Sequence, residues 1–248
     1  MSDSSPEQPA LSIQVSVVIP FYNEVQNVLP LWEKIAAAFL VVPDYSYECV
    51  FVNDGSTDGT RKVLDDLATA QASVRVIHLV ANSGQSAAIA AGLQRARGEY
   101  ILTLDGDLQN DPADFPEFLN LLQRFDCVCG YRAHRNDTWM RRLSSRAANS
   151  ARNAVLRDGI RDSGCGSKGF RRHRVKHLVP FNGMHRFMAA LLRSAGCTIV
   201  ESPVSHHARH SGVSKYGLHN RLWRGIYDLI GVAWFARRYV AFRVEGEE

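Results

Sequence analysis

Four apolar runs alternate with segments of helical period through the first half of the chain. Val15–Ile19 is continuously apolar and stops at Pro20, the pattern of a strand buried on both faces. Val28, Leu31, Trp32, Ile35 and Phe39 then recur at the spacing of one helix face. Glu48–Val52, Val74–Leu79 and Tyr100–Leu104 predict three more strands, separated by helices over Asp58–Ala70 and Gln85–Arg97. Ser56, Thr57 and Asp58 offer caps at the start of the first of these helices. The order βαβαβαβ predicts a doubly wound, mostly parallel α/β sheet. Ligands of such sheets bind beyond the carboxyl ends of the strands, here Pro20–Glu24, Asn53–Asp58 and Asp105–Gln109.

The second half is less regular. Asp114–Arg124 and Met184–Ala195 read as helices, and Cys127–Gly130 and Thr198–Glu201 as strands. Residues 132–162 are a basic stretch, helical from about Trp139, and long enough to act as a lid. Leu218–Arg243 is amphipathic, with Trp223, Ile226, Tyr227, Ile230 and Trp234 set among Arg221, Arg224, Arg237 and Arg238. Its weakly polar run, Leu229–Ala236, falls far short of the ~20 residues that span a bilayer. Two readings stay open for it: a helix in a membrane interface, or a helix packed on the core. The expected organisation is a disordered N-terminus over 1–12, one α/β domain over 13–217 and the amphipathic segment 218–248.

At 248 residues the chain can bury a full core. Its net charge of +4 conceals an asymmetry: residues 1–130 hold 7 basic and 17 acidic side chains, and residues 131–248 hold 22 and 8. The acids accompany the strand-end motifs, while the basic half is suited to an anionic partner or is a solvated surface. The five cysteines lack zinc spacing and suit a reducing compartment, and no leader pattern opens the chain, so a cytoplasmic location is expected.

Asp105-Gly106-Asp107-Leu108-Gln109 carries the clearest chemistry. Two carboxylates and an amide just past a buried strand are hard ligands for Mg²⁺ or Mn²⁺, and such an ion clamps a diphosphate. Turn chemistry alone could also explain the pair. Pro20-Phe21-Tyr22-Asn23-Glu24 and Asn53-Asp54-Gly55-Ser56-Thr57-Asp58 put acids and amides where a nucleoside would lie.

These three motifs, in this order, resemble the family 2 glycosyltransferases, which have the GT-A (nucleotide-diphospho-sugar transferase) fold. Asn82-Ser83-Gly84-Gln85, Gly130-Tyr131-Arg132, Asp162-Ser163-Gly164-Cys165 and Arg209-His210-Ser211-Gly212-Val213-Ser214-Lys215-Tyr216 extend the resemblance over roughly residues 14–235. They are similar to the branch holding dolichol-phosphate mannose synthase and bacterial polyprenyl-phosphate glycosyltransferases. The resemblance implies an inverting transfer from a nucleotide-diphosphate sugar to a polyprenyl phosphate at the cytoplasmic face of a membrane. By it, Pro20, Tyr22, Glu24, Asp54 and Asp105 would contact the nucleotide, and Asp105, Asp107 and Gln109 would hold Mg²⁺ or Mn²⁺ and the diphosphate. Arg132, Arg209, Ser214 and Lys215 would receive the acceptor phosphate and the donor diphosphate, with Asp107 also catalytic. Several members of the branch carry transmembrane helices after the catalytic domain, and none is visible here. Attachment is then expected through the amphipathic end or through a separate small membrane protein.

Competing signals are weaker. Gly164-Cys165-Gly166-Ser167-Lys168-Gly169 matches a dinucleotide fingerprint by letter but follows a charged loop instead of a strand. No P-loop is present, and His206, His207 and His210 are better suited to phosphate or structure than to zinc. A family 2 enzyme acting on a soluble or polysaccharide hydroxyl is the alternative within the class. A non-enzymatic basic protein is the alternative outside it, although no recognition helix or aromatic platform supports nucleic acid as a partner.

Overall fold

The computed structural model describes residues 13–133, 149–207 and 218–240. Its seven strands are β1 (Val15–Phe21), β2 (Tyr47–Asn53), β3 (Val74–His78), β4 (Tyr100–Thr103), β5 (Cys127–Arg132), β6 (Lys168–Arg171) and β7 (Ile199–Val204). They form one sheet in the order β3-β2-β1-β4-β6-β5-β7. β6 alone runs antiparallel to its neighbours; β5 and β7 are parallel to each other. The helices are α1 (Val28–Leu40), α2 (Thr60–Ala70), α3 (Gln85–Arg95), α4 (Phe115–Leu122), α5 (149–156), α6 (Met188–Ser194) and α7 (Leu218–Arg238).

The period of two along β1 decides what each face covers. Val15, Val17, Ile19 and Phe21 pack under α1, α2 and α4, whereas Val18 joins Val50 and Ile101 beneath α3, α6 and α7. Both faces are therefore dry, which is why the strands read as apolar runs without alternation. α2 starts two residues later than its cap signals suggest: Asp58 accepts from the Thr60 N–H at 2.9 Å, but Ser56 is drawn off to the N–H of Asn23. α3 ends at Arg95, where the chain turns extended at Ala96. β6 is the strand that the apolar pattern does not predict, because it is four residues long and begins at the buried Lys168.

The topology sets one edge apart. β1 diverges from β4 after Val18↔Thr103 while still pairing β2 as far as Phe21↔Asn53. Pro20 lies beyond the last β4 partner, so its missing N–H breaks no ladder bond on that side. β4 and β5 flank β6 antiparallel on either side, so their carboxyl ends open on the same edge as those of β1 and β2. The loop 162–167 enters β6 there too. Among the described residues no helix is long and apolar enough to cross a membrane.

Candidate active site

Six segments converge on that edge. The loops after β1 and β2 are laced together: Asn23 N–H donates to Ser56 Oγ at 3.0 Å, Thr57 N–H to Asn23 Oδ1 at 2.7 Å, and Glu24 N–H to Thr60 Oγ1 at 2.9 Å. Asn23 reaches these partners from a left-handed φ of 54°. The Glu24 carboxylate accepts from Asn27 Nδ2, and Tyr22 is half-buried beside it.

Asp54 is 3% exposed, and its carboxylate is bound up with the next loop. Ser83 N–H donates to Oδ1 at 2.7 Å, and Gly84 N–H and Asn82 Nδ2 donate to Oδ2 at 2.9 and 3.0 Å. Burial pushes this carboxyl above its ordinary value, with the Ser83 and Gly84 N–H groups acting in the opposite direction. Asp54, expected from the sequence to contact the nucleoside, has its carboxylate bonded to the loop that starts α3.

The turn after β4 holds Asp105, Asp107 and Gln109. Gly106 packs on the end of β1, where a Cβ would stand 2.8 Å from the Pro20 carbonyl oxygen. Leu108 is left-handed at φ 60°, a strain of roughly 1–2 kcal/mol offset by burying its side chain in the core. Asp107 is buried and accepts from the Gln109 N–H at 3.2 Å, and the Gln109 carbonyl accepts from His207 N–H at 2.8 Å. His207 Nε2 also meets Asp111 Oδ2 at 2.9 Å, and Asn110 bridges His206. The chain leaving β7 is thereby clasped to the Asp105–Gln109 turn. Arg209, Ser214 and Lys215, two to eight positions further on, lie outside the described residues, as does 134–148 of the basic stretch.

The loop entering β6 forms the opposite wall. Asp162 grips Arg132, the last residue of β5, in a two-point fork: Nε to Oδ2 at 2.6 Å and Nη2 to Oδ1 at 2.8 Å. Burial works against the Arg132 charge, and Asp162 more than offsets it, so the guanidinium is held above its ordinary value; Asp105 adds to that field. Gly166 stands against Asp105, with the place of a Cβ 2.4 Å from the carboxylate. Its carbonyl is fixed by Thr103 Oγ1 at 2.9 Å, and the neighbouring Cys165 carbonyl by the buried Lys168 ammonium. Gln85 Nε2 donates to Asp105 Oδ1 at 2.7 Å from the start of α3.

The structure therefore brings together Pro20, Tyr22, Glu24, Asp54, Asp105, Asp107, Gln109 and Arg132. Gln85, Asp162 and Gly166 join them without having been singled out, as does His207, weighed in the sequence for phosphate or structure. The first two stand in motifs already quoted, and Gly166 lies in the Gly-rich stretch that is no dinucleotide loop. Among the described residues no group of three or more His, Cys, Asp and Glu side chains gathers as a metal cage. Two carboxylates on one turn, with the space beside Asp105 kept by a glycine, instead fit a Mg²⁺- or Mn²⁺-type ion that keeps waters and takes phosphate oxygens.

This arrangement, a sheet whose carboxyl edge carries an Asp-Gly-Asp turn between the laced loops after β1 and β2 and the Arg132–Asp162 wall, is that of a GT-A-type transferase. Residues 16–179 match the sequence model of Glycosyl transferase family 2, and the chain belongs to that family. It is 40% identical over 238 residues to a dodecaprenyl-phosphate galacturonate synthase of Rhizobium johnstonii, covering 92% of this chain and 69% of that protein. It is 35% identical over 218 residues to an undecaprenyl-phosphate 4-deoxy-4-formamido-L-arabinose transferase of Aeromonas hydrophila, covering 87% and 66%. The chain thus spans about two thirds of the length of these relatives. Glucosyl-3-phosphoglycerate synthase of Mycobacterium tuberculosis has the same fold at TM-score 0.62 and 18% identity, covering 90% of this chain and 79% of that one. A mannosyltransferase of Pyrobaculum calidifontis, solved with GDP-Man and Mn²⁺, does so at 0.63 and 18%, covering 97% and 68%.

Proposed function

We propose that the chain moves a sugar from a nucleotide-diphosphate donor to the phosphate of a polyprenyl phosphate, with inversion at the anomeric carbon. One observation carries this reading. The likeness to the galacturonate synthase runs over 238 residues, well past the family match that ends at 179, and so takes in the basic half of the chain. A Mg²⁺ or Mn²⁺ ion belongs to the reading: Asp105, Asp107 and Gln109 would hold it, and bound there it would neutralise the diphosphate.

The rest follows from the charges of the reactants. A phosphate monoester is already an anionic nucleophile near neutral pH, so the chain need supply no strong base. An acceptor phosphate oxygen attacks the anomeric carbon, the bond from that carbon to the donor diphosphate breaks on the opposite side, and the diphosphate keeps the electron pair. The chain contributes alignment and fixed positive charge. Arg132, with Arg209, Ser214 and Lys215, takes the acceptor phosphate and the diphosphate. Pro20, Tyr22 and Glu24 line the nucleoside cleft, and Asp54 supports it through the 82–84 loop.

Because this acceptor sits in a bilayer, the chain works peripherally at a cytoplasmic membrane face. The outer side of α7, with Tyr227, Ile230 and Trp234 exposed beside Arg237 and Arg238, supports attachment of that kind. The named relatives give no support to a separate anchoring protein, and the α7 face takes that role here. The test is transfer of label from a panel of sugar nucleotides to polyprenyl phosphate in detergent with Mn²⁺ or Mg²⁺. Label that enters the organic phase with one donor, and is lost with chelator or in Asp107→Ala, supports the reading. Transfer only to a soluble hydroxyl acceptor would overturn it.

A further inference from the structure

The three residues Gly84, Gln85 and Ser86 each hold a different part of the site. Gly84 N–H is bonded to Asp54 Oδ2 at 2.9 Å, and its backbone at φ 89°, ψ 159° lies in a region that only glycine occupies readily. Ser86 is buried, and its Oγ accepts from Gly183 N–H at 3.0 Å and meets His185 Nδ1 at 2.8 Å. Gln85, held between them, sends its amide to Asp105 Oδ1 at 2.7 Å. Gly166 closes the other side of that carboxylate.

We infer that Gln85 is a positioning residue. Its amide fixes the rotation of the Asp105 carboxylate, and it couples the nucleoside side of the site, through Asp54 and Gly84, to the metal side. This rests on the metal-dependent reading above. A carboxylate on a short side chain has a soft terminal torsion, so an isolated Asp105 would swing over a broad range. A neutral amide donor on one oxygen, with a backbone wall on the face, stops that motion without adding a charge that would compete with a cation. Outer partners of this kind tune metal affinity by 10–100-fold. Glutamine suits the task better than a lysine, whose ammonium would repel the ion, or a glutamate, whose carboxylate has no N–H to donate to Asp105.

The experiment is Mn²⁺ binding followed by the electron paramagnetic resonance signal of free Mn²⁺, with and without UDP or GDP, in wild type, Gln85→Met and Gln85→Glu. Gln85→Met is expected to bind Mn²⁺ about 10–100-fold more weakly at an unchanged unfolding temperature, and to lose most of the gain that the nucleotide gives wild type. Gln85→Glu is expected to lose the nucleotide gain as well, because a carboxylate accepts where the amide donates to Asp105. Loss of that gain at an unchanged unfolding temperature would not arise from a merely structural role. Equal Mn²⁺ affinity and an equal nucleotide gain in all three proteins would overturn the inference while leaving the metal reading intact. No Mn²⁺ binding by wild type, with either nucleotide, would remove the metal reading and the inference with it.

Discussion

Gly166 faces the Asp105 carboxylate so closely that a Cβ would sit 2.4 Å from both its Cγ and its Oδ2. What must yield to an added methyl group is the end of the Asp105 side chain, since Gly166 itself is tied down through Thr103 Oγ1. Gly166→Ala should therefore leave the sheet intact and turn Asp105 away from its ligand position. A misplacement of about 1 Å at such a centre costs about 100-fold. Sugar transfer is expected to fall by that order, and a normal far-ultraviolet dichroism spectrum would separate this from unfolding. Unchanged transfer would mean that Asp105 does not need its present position.

Asp54, expected from the sequence to contact the nucleoside, also anchors the 82–84 loop. Asp54→Ala leaves the Ser83 and Gly84 N–H groups without the carboxylate they now donate to. Hydrogen bonds to a charged group contribute about 1.5–3 kcal/mol each, so a loss of about 3 kcal/mol is expected in urea unfolding. Asp54→Asn, which can still accept one of the two, should lose about half as much. Donor affinity should drop in both, because the 82–84 loop carries Gln85 into the site. A stability change under 1 kcal/mol in the alanine variant would argue against this anchoring role.

The Arg132–Asp162 fork gives a third test. The two side chains are 17% and 9% exposed, so removing one leaves the other largely desolvated. Breaking such a pair costs about 3–5 kcal/mol, and Arg132→Met is expected near the lower end because the site edge admits water. Arg132→Lys keeps the charge but not the fork, and should stay folded with a raised KM for the lipid phosphate and a smaller change in donor KM. Equal shifts in the two KM values would assign Arg132 to the fold alone.

The front half of this molecule was open to sequence reading because its strands are buried on both faces and its helices carry one apolar stripe. Val15–Ile19 and Tyr100–Leu104 announce themselves, and the rule of carboxyl-end ligands then points at Pro20–Glu24 and Asp105–Gln109. β6 escaped because four residues opening with a buried lysine show no period. With it went the 162–167 wall and the partner of Arg132. Pairings such as Asp54 with Gly84 or His207 with Gln109 join residues 30 and 98 positions apart, and no local pattern encodes them.

The clasp between β7 and the Asp105–Gln109 turn should be sensitive to acid. Burial works against the Asp111 charge, yet the Ala113 N–H, the His207 ring and the Lys34 ammonium outweigh it and hold the carboxyl below its ordinary value. Asp111 then binds a proton less readily folded than unfolded. Its contribution is present above about pH 4 and is lost as pH falls through the depressed value. Urea midpoints of wild type and Asp111→Asn should differ at pH 7 and converge as the pH falls below the depressed value. A constant gap between the two proteins across that range would show that Asp111 is not the titrating group.

The last prediction concerns α7. Val232 and Ala233 face the core, and Leu229 and Phe235 pack against it, while Tyr227, Ile230 and Trp234 are 81%, 62% and 65% exposed on the opposite side. A helix with apolar side chains all round is covered on both sides, and here the protein covers only one. Val155 of α5 extends the bare face, and Arg237 and Arg238 line the same cleft, in which no acidic side chain stands among the described residues. Aromatic side chains beside arginines suit headgroup depth, with about 1 kcal/mol of attraction per arginine at an anionic surface. Ile230→Glu with Trp234→Glu should therefore release the protein from vesicles rich in anionic lipid without lowering its unfolding temperature, since neither residue supports the core. Transfer to a short, water-soluble polyprenyl phosphate should survive the change, whereas transfer to acceptor embedded in vesicles should fall at least tenfold. Vesicle binding that resists both charges would move the attachment site off this helix, to the basic segment before it.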